Sequence, residues 1–384
     1  MHTADSQRLW TYTIGRRIPV VFLGLSVLFL NGLGLIVLLS IGRAHEPGLG
    51  SFFFKQCLWM AIALTAFAIA LVLDYERLRK ASVWIGLGGL VLLVLVLVPG
   101  IGMKVNGARR WIDIGPMNMQ VSDFAKISYV FCLARYFSVV QRERHRILKG
   151  FLLPLAIIGL FFSLIFLQPD FGTAFLFALV GGMLLFLAGV SLKYLIPTAL
   201  AGSGLFAVAI AHDPVRLGRI LSFLDVEGNR TEGAYQLWQG IIGFGVGGVD
   251  GVGLGNGRQQ FSFLPEAHTD FIFPIIGEEL GLIFTLTVVL AFGLFFLVTW
   301  HQLQRAPNIY QFLLVSGALF FISLQAMINM GVSTGCLPTK GMSLPFISYG
   351  GSNLVVTYFL FGIICRSIWA WSSPPRFEPR EIKL

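Results

Sequence analysis

Long apolar runs dominate this sequence. A helix rises about 1.5 Å per residue and a bilayer's hydrocarbon core is about 30 Å thick. An apolar run of about 18 residues or more therefore reads as a membrane span. Such runs recur along nearly the whole chain and predict an all-α polytopic membrane protein with about ten transmembrane helices. The expected spans are 18–40, 57–73, 82–100, 123–140, 150–168, 171–190, 194–212, 271–299, 310–334 and 353–372. The fourth is interrupted by Asp123, Lys126 and Arg135. Charged residues are 12% of the 384, about half the share of a soluble domain. Hydropathy thus overrides the two or three soluble domains that length alone suggests. The first run is long and lacks a small-residue cleavage site, so it reads as a retained span and not a signal peptide.

Lys and Arg set the orientation. With the N-terminus in the cytoplasm, 16 of the 28 fall in cytoplasmic segments and 10 on the opposite side, four of those in one long loop that the rule weights lightly. The arrangement is N-in and C-in, as one integral membrane domain over 1–384. Residues 1–17 form a cytoplasmic segment, 213–270 a large extracytoplasmic loop between the seventh and eighth spans, and 373–384 a short basic, disordered tail. The formal charge of +9 is explained by this positive-inside bias, and nucleic acid is excluded as a partner. Cys57, Cys132, Cys336 and Cys365 include no CxxC pair, so they read as small apolar residues and not as a disulfide or metal framework.

A loop as long as 213–270 is usually functional or disordered. This one carries an amphipathic stretch at 216–224 and YQLWQGIIGFGVGG at 235–248, which suits a re-entrant or interfacial helix. Gly243, Gly245 and Gly248 fit GxGxxG, but no strand precedes them and a dinucleotide site is dismissed. Gly251, Gly253, Gly255 and Gly257 suit tight turns or close packing near a ligand.

Polar residues gather in the external loops, and each has two readings. Arg109, Arg110 and Trp111 either anchor the interface or meet a phosphate and a lipid stem. Ser122 or Asp123 suits the cap of the fourth span. Lys126 lies a turn inside it, and either snorkels outward or pairs with Asp123 or a substrate phosphate. Asp170 makes a turn with Pro169 or faces a polar cavity. Thr269 and Asp270 are good caps for the eighth span. Asp270 also suits a general base, because partial burial raises a carboxylate pKa toward a useful range. Glu266 and His268 would tune it or position substrate. Glu278 and Glu279 lie about 12 Å deeper and are costly there unless paired, protonated or facing a cavity. The Pro- and Gly-rich loop 333–353 breaks helical structure, so its backbone must be buried in protein or wet. Lys340 there is a mobile cation. Cations and carboxylates beside an apolar surface suit an amphiphile with an anionic head group.

The stretches NGARRWI (106–112), QPDFGTA (168–174), LPEAHTDFIF (264–273), IIGEELGLI (275–283) and LPTKGMSLPFISYGGSN (337–353) resemble the SEDS family, polytopic glycosyltransferases of bacterial cell-wall synthesis. The similarity extends over most of the chain. AYQLWQ (234–239), GVGLGNGRQQ (251–260) and LPTKG are closer to its cell-division branch than to its elongation or sporulation branches. Where the family usually has QPSE, this chain has Gln120, Val121, Ser122 and Asp123. Asn353 stands where a serine is common. The resemblance implies polymerisation of lipid II at the outer face of the bacterial inner membrane, at the division septum, with Asp270 as the essential acid. Charge on the departing lipid pyrophosphate would be met by Arg109, Arg110, Lys126, Lys340 or a divalent cation (Mg2+ or Mn2+). It further implies partnership with a class B penicillin-binding protein and other division membrane proteins, among membrane lipids. A lipid II flippase and a non-catalytic division scaffold are the alternatives.

Overall fold

The structure is a computed structural model that describes residues 2–45, 51–105, 107–113, 115, 118–261 and 264–372, with side chains from residue 18 onward except 43–45, 51, 105 and 261. The tail expected at 373–384, and the side chains of the basic N-terminal segment, lie outside the described residues.

Twelve helices and three short strands make up the described chain. The helices are α1 (His2–His45), α2 (Ser51–Val72), α3 (Tyr75–Leu95), α4 (Val121–Val140), α5 (Leu153–Phe166), α6 (Phe171–Leu187), α7 (Leu192–Ala211), α8 (Pro214–Leu224), α9 (Tyr235–Gly247), α10 (Ile272–Leu303), α11 (Ile309–Ser333) and α12 (Gly351–Ser372). Among the described residues, eight are long and apolar enough to cross a membrane: α1, α2, α3, α5 with the π turn before it, α7, α10, α11 and α12. The chain is a multi-pass membrane protein. The other two expected spans coincide with α6, apolar but only 17 residues, and α4, which carries the charges. Polar caps set several starts. Asp74, Ser191, Asp213 and Asn308 each accept from a backbone N–H in the first turn of α3, α7, α8 and α11. The third span therefore begins seven residues earlier than expected.

Two sequence expectations need correction. Residues 102–120 are not a plain loop but an antiparallel sheet, β1 (Gly102–Val105), β2 (Ala108–Asp113) and β3 (Asn118–Gln120). Neither Ser122 nor Asp123 caps α4. Its N-cap is Gln120, without a side-chain bond, because Asp123 is engaged elsewhere.

Burial orders the bundle. α11 and α12 are mostly buried, and α4 buries Asp123, Lys126 and Tyr129 together with its apolar residues. The charged helix sits inside and turns its polar groups toward neighbouring helices, where they find partners that lipid cannot supply. α7 buries no residue and lies at the periphery.

α9 runs alongside the start of α10. A side chain at Gly240 would meet Pro274, and one at Gly247 would collide with the Gly277 carbonyl. α10 is broken at Gly281 (φ 76°, ψ −171°). The turn after α9 repairs the break: Val252 and Gly253 donate to the carbonyls of Glu278 and Glu279, and Leu282 donates to Gly248. Irregular backbone is tolerable here because protein satisfies it. Gly251, Gly253 and Gly255 have positive φ, and Gly251 lies against the Glu279 carbonyl. The same turn holds both carboxylates. Glu278 accepts from the N–H of Arg258 (2.8 Å) and Gln259 (3.1 Å). Glu279 accepts from Ser40 (2.6 Å), Gly255 (3.0 Å) and Gln260 (2.9 Å).

Candidate active site

Four connections meet at one end of the bundle: the β sheet, the α5–α6 corner, residues 264–271 before α10, and the loop between α11 and α12. Asp270 is half-buried there, beside buried Phe271 and Ile272. It does not cap α10, whose N-cap is Phe271 without a side-chain bond. Among the described residues, its carboxylate takes no hydrogen bond and no ion pair within 4.0 Å. Its backbone, by contrast, is held firmly. The carbonyls of His268, Thr269 and Asp270 accept in turn from Tyr349 N (2.9 Å), Ser348 Oγ (2.6 Å) and Asn329 Nδ2 (2.8 Å). Asn329 also donates to the Met342 carbonyl (2.6 Å), and Ser348 accepts from Leu344 N (2.7 Å). The expected buried setting of the 333–353 backbone is met: Met342, Leu344, Phe346 and Ile347 are buried. Burial, reinforced by the Glu266 carboxylate and opposed by Lys340, pushes Asp270 up to about 6.

Lys340 and Asp170 complete the polar centre. Asp170 is buried, caps α6 through Thr173 N, and lies 3.5 Å from Lys340 Nζ and 3.9 Å from Arg110 Nη1. Gln120 Nε2 adds a hydrogen bond at 3.3 Å. Asp170 thus ends the turn after Pro169, and its carboxylate faces these partner groups. Burial disfavours its charge, but Lys340, Arg110 and Thr173 outweigh that and hold its carboxyl below the usual range. Burial pushes the Lys340 ammonium down to about 8, against the pull of Asp170. That ammonium is buried and, beyond its ion pair with Asp170, finds no hydrogen-bond acceptor among the described residues. Its stem runs across the α6 start, where a side chain at Gly172 would collide with it.

The remaining candidates separate. Arg110 is committed, donating to the carbonyls of Gln168 (3.0 Å) and Pro169 (2.7 Å). Arg109 and Trp111 are half-buried and pair with the successive β1 residues Lys104 and Met103, so Arg110 between them is the extra residue where the register slips and simple alternation along β2 is broken. Of the partners offered to Lys126, the structure supplies Asp123, at 2.9 Å. Gln325 (2.8 Å) and Asn353 (3.0 Å) take its other donors, and Ser352 donates to Asp123 (2.7 Å). This closed buried network leaves Lys126 no donor for a phosphate, contrary to one sequence expectation. Glu266 is exposed and accepts from Thr269 Oγ1 (2.8 Å). His268 stacks on Phe52 with ring centroids 4.3 Å apart.

Sequence reasoning missed Gln325, Asn329, Ser348 and the two glycines beside the charged side chains, Gly172 and Gly341. A signal existed for the first two. They are four apart in an apolar helix, and so share one face. No three His, Cys, Asp or Glu residues converge to hold a metal ion among the described residues. Asp170 is already balanced by two cations, so a divalent ion has no ready protein cage here.

The profile of the cell cycle protein family FtsW/RodA/SpoVE matches residues 21–368. The chain belongs to this family. It is 41% identical over 322 residues to a probable peptidoglycan glycosyltransferase FtsW of Coxiella burnetii, covering 82% of this chain and 86% of the relative. It is 39% identical over 351 residues to a protein of the same description from Saccharophagus degradans, covering 89% of each. This FtsW/RodA/SpoVE member also shares its fold with a chain from a peptidoglycan synthase complex that coordinates polymerization and crosslinking (TM-score 0.76, 24% identity, 91% and 97% covered). The crystal structure of the Thermus thermophilus rod shape determining protein RodA is similar too (TM-score 0.67, 25% identity, 90% and 95% covered).

Proposed function

We propose that this chain is an inverting peptidoglycan glycosyltransferase that joins lipid II units at the outer face of the bacterial inner membrane during division, with Asp270 as general base. One observation carries the reading. Asp270 is a half-buried carboxylate relieved of capping and pairing, while three bonded carbonyls fix its backbone. A carboxyl near pKa 6 is matched to accepting a proton at neutral pH.

The 4-hydroxyl of one lipid II attacks the anomeric carbon of another. The new C–O bond forms as the bond to pyrophosphate breaks, and the proton passes to Asp270. Undecaprenyl pyrophosphate leaves with the electron pair. An α-linked donor becomes a β-linked product, so no covalent enzyme intermediate is needed. Lys340, buried and short of acceptors, is placed to stabilise the developing charge. Arg110 acts indirectly by holding the 168–170 corner. Homology to proteins described as FtsW favours the septum as the site of action. A synthase complex among the structural relatives favours a class B penicillin-binding protein as partner.

The test uses the full chain with that partner, its transpeptidase site inactivated, and labelled lipid II. Asp270→Asn should reduce glycan polymer by about 10²–10⁴-fold. Normal polymerisation by Asp270→Asn would reject the base. Lipid II movement between leaflets without any polymer would establish the flippase alternative.

A further inference from the structure

Between α9, the turn after it and α10 lies a cavity of about 610 Å³, away from Asp270. Ile242, Val246 and Val252 form an apolar wall, and Arg258, Gln259 and Glu278 a polar one. Three features define what fits. Arg258 is exposed, and its guanidinium makes no ion pair or hydrogen bond among the described residues. Gln259 is 6% exposed, and its amide oxygen has no donor among the described residues. Glu278 is held by backbone N–H groups but has no cation within 4.0 Å among the described residues. The cavity therefore offers a cation for an anion, and an unspent amide oxygen beside a carboxylate for a group that is positive and carries N–H.

The level of this cavity fixes the ligand class further. Beyond the break at Gly281, α10 runs from Leu282 to Leu303, about 33 Å of helix, enough to cross about 30 Å of hydrocarbon. Glu278 precedes that break by three residues. Glu278 thus falls at the boundary between hydrocarbon and head groups.

We propose that this cavity binds an aminophospholipid, with the phosphate on Arg258, the primary ammonium on Gln259 Oε1 and Glu278, and an acyl chain along Ile242 and Val246. A choline head group has no N–H to donate, and a glycerol head group brings no positive charge. The site is separate from the Asp270 centre and does not rest on the proposed catalysis.

The test measures lipid retained by the purified full-length protein, by native mass spectrometry. Ethanolamine, choline and glycerol phospholipids with identical chains compete. The ethanolamine lipid should be retained about tenfold over the others. Arg258→Ala should lower retention of all three lipids, which share the phosphate, while keeping the backbone N–H that holds Glu278. Gln259→Leu should erase discrimination between ethanolamine and choline. Melting in lipid-free detergent should be unchanged for Arg258→Ala, separating lost binding from lost fold. Equal retention of the three lipids, or undiminished retention in Arg258→Ala, overturns the proposal. So does competition by soluble glycerophosphoethanolamine as effective as that of the intact lipid, because the apolar wall would then contribute nothing.

Discussion

The carboxylate of Asp270 occupies the space that a side chain at Gly341 would need. The three atoms nearest to such a Cβ all belong to Asp270, with Oδ2 the closest. Gly341 is absent from the positive-φ glycines, so its backbone does not require glycine. The missing side chain serves as a seat for the carboxylate, and the adjacent residue is the cation Lys340.

Gly341→Ala should therefore leave the fold intact and displace the base. Misplacing a reacting group by about 1 Å can cost about 10²-fold, so a loss of that size in kcat for glycan polymerisation is expected. Melting should be little altered, and KM for lipid II should change less than kcat. Full activity in Gly341→Ala would show that Asp270 tolerates relocation or is not the base.

The two titrating groups predict a bell-shaped pH dependence of kcat/KM. Asp270 must be unprotonated to accept a proton, so activity should rise through about pH 6. Lys340 must stay protonated to meet the leaving pyrophosphate, so activity should fall through about pH 8. Glu266→Gln removes the carboxylate charge that raises Asp270, and should move the acid limb downward. Steady-state rates in buffers of constant ionic strength test both limbs. An acid limb that stays in place in Glu266→Gln would mean another group titrates there.

Much of this was legible in the sequence, because length and hydropathy dictate spans wherever lipid is the solvent. The amphipathic 216–224 became α8, and 235–248 became α9 packed along α10. Asp170, Asp270 and Lys340 were legible as polar residues in different loops on one side. Their convergence was not, because it depends on how the α5–α6 corner and the α11–α12 loop pack. The sheet at 102–120 was hidden because Gly, Arg and Asn punctuate it more than any strand pattern does. It leaves Arg110 as the extra residue at a slip in the β1–β2 register, which adjacency in sequence could not reveal. The cost of Glu278 and Glu279 was foreseen, but its remedy lies some twenty residues earlier in the glycine turn.

Lys126 tests the difference between a structural and a substrate-binding cation. Its three acceptors come from α4, α11 and α12. Removing one member of a buried ion pair costs about 3–5 kcal/mol, because the other is left uncompensated. Lys126→Met should accordingly lower the melting temperature sharply, and Lys126→Met with Asp123→Leu should recover part of that loss. A Lys126→Met protein with normal melting but weakened lipid II binding would reassign Lys126 to the substrate.

Glu279 supplies the last test. One of its oxygens accepts from Ser40, Gly255 and Gln260, while Oε2 is buried without a partner among the described residues. Gln at this position retains the triply bonded oxygen, whereas Leu leaves the Gly255 and Gln260 donors unmet and Ser40 with only a long contact to Gln260 Oε1 (3.4 Å). Each buried donor without an acceptor costs about 1–3 kcal/mol. Glu279→Leu should fail to fold or melt far below the parent, whereas Glu279→Gln should fold. The two would behave alike only if the glycine turn held itself without the carboxylate. In that case the break at Gly281 would rest on the backbone bonds from Val252, Gly253 and Leu282, and substituting Gly251, which lies against the Glu279 carbonyl, would become the more damaging change.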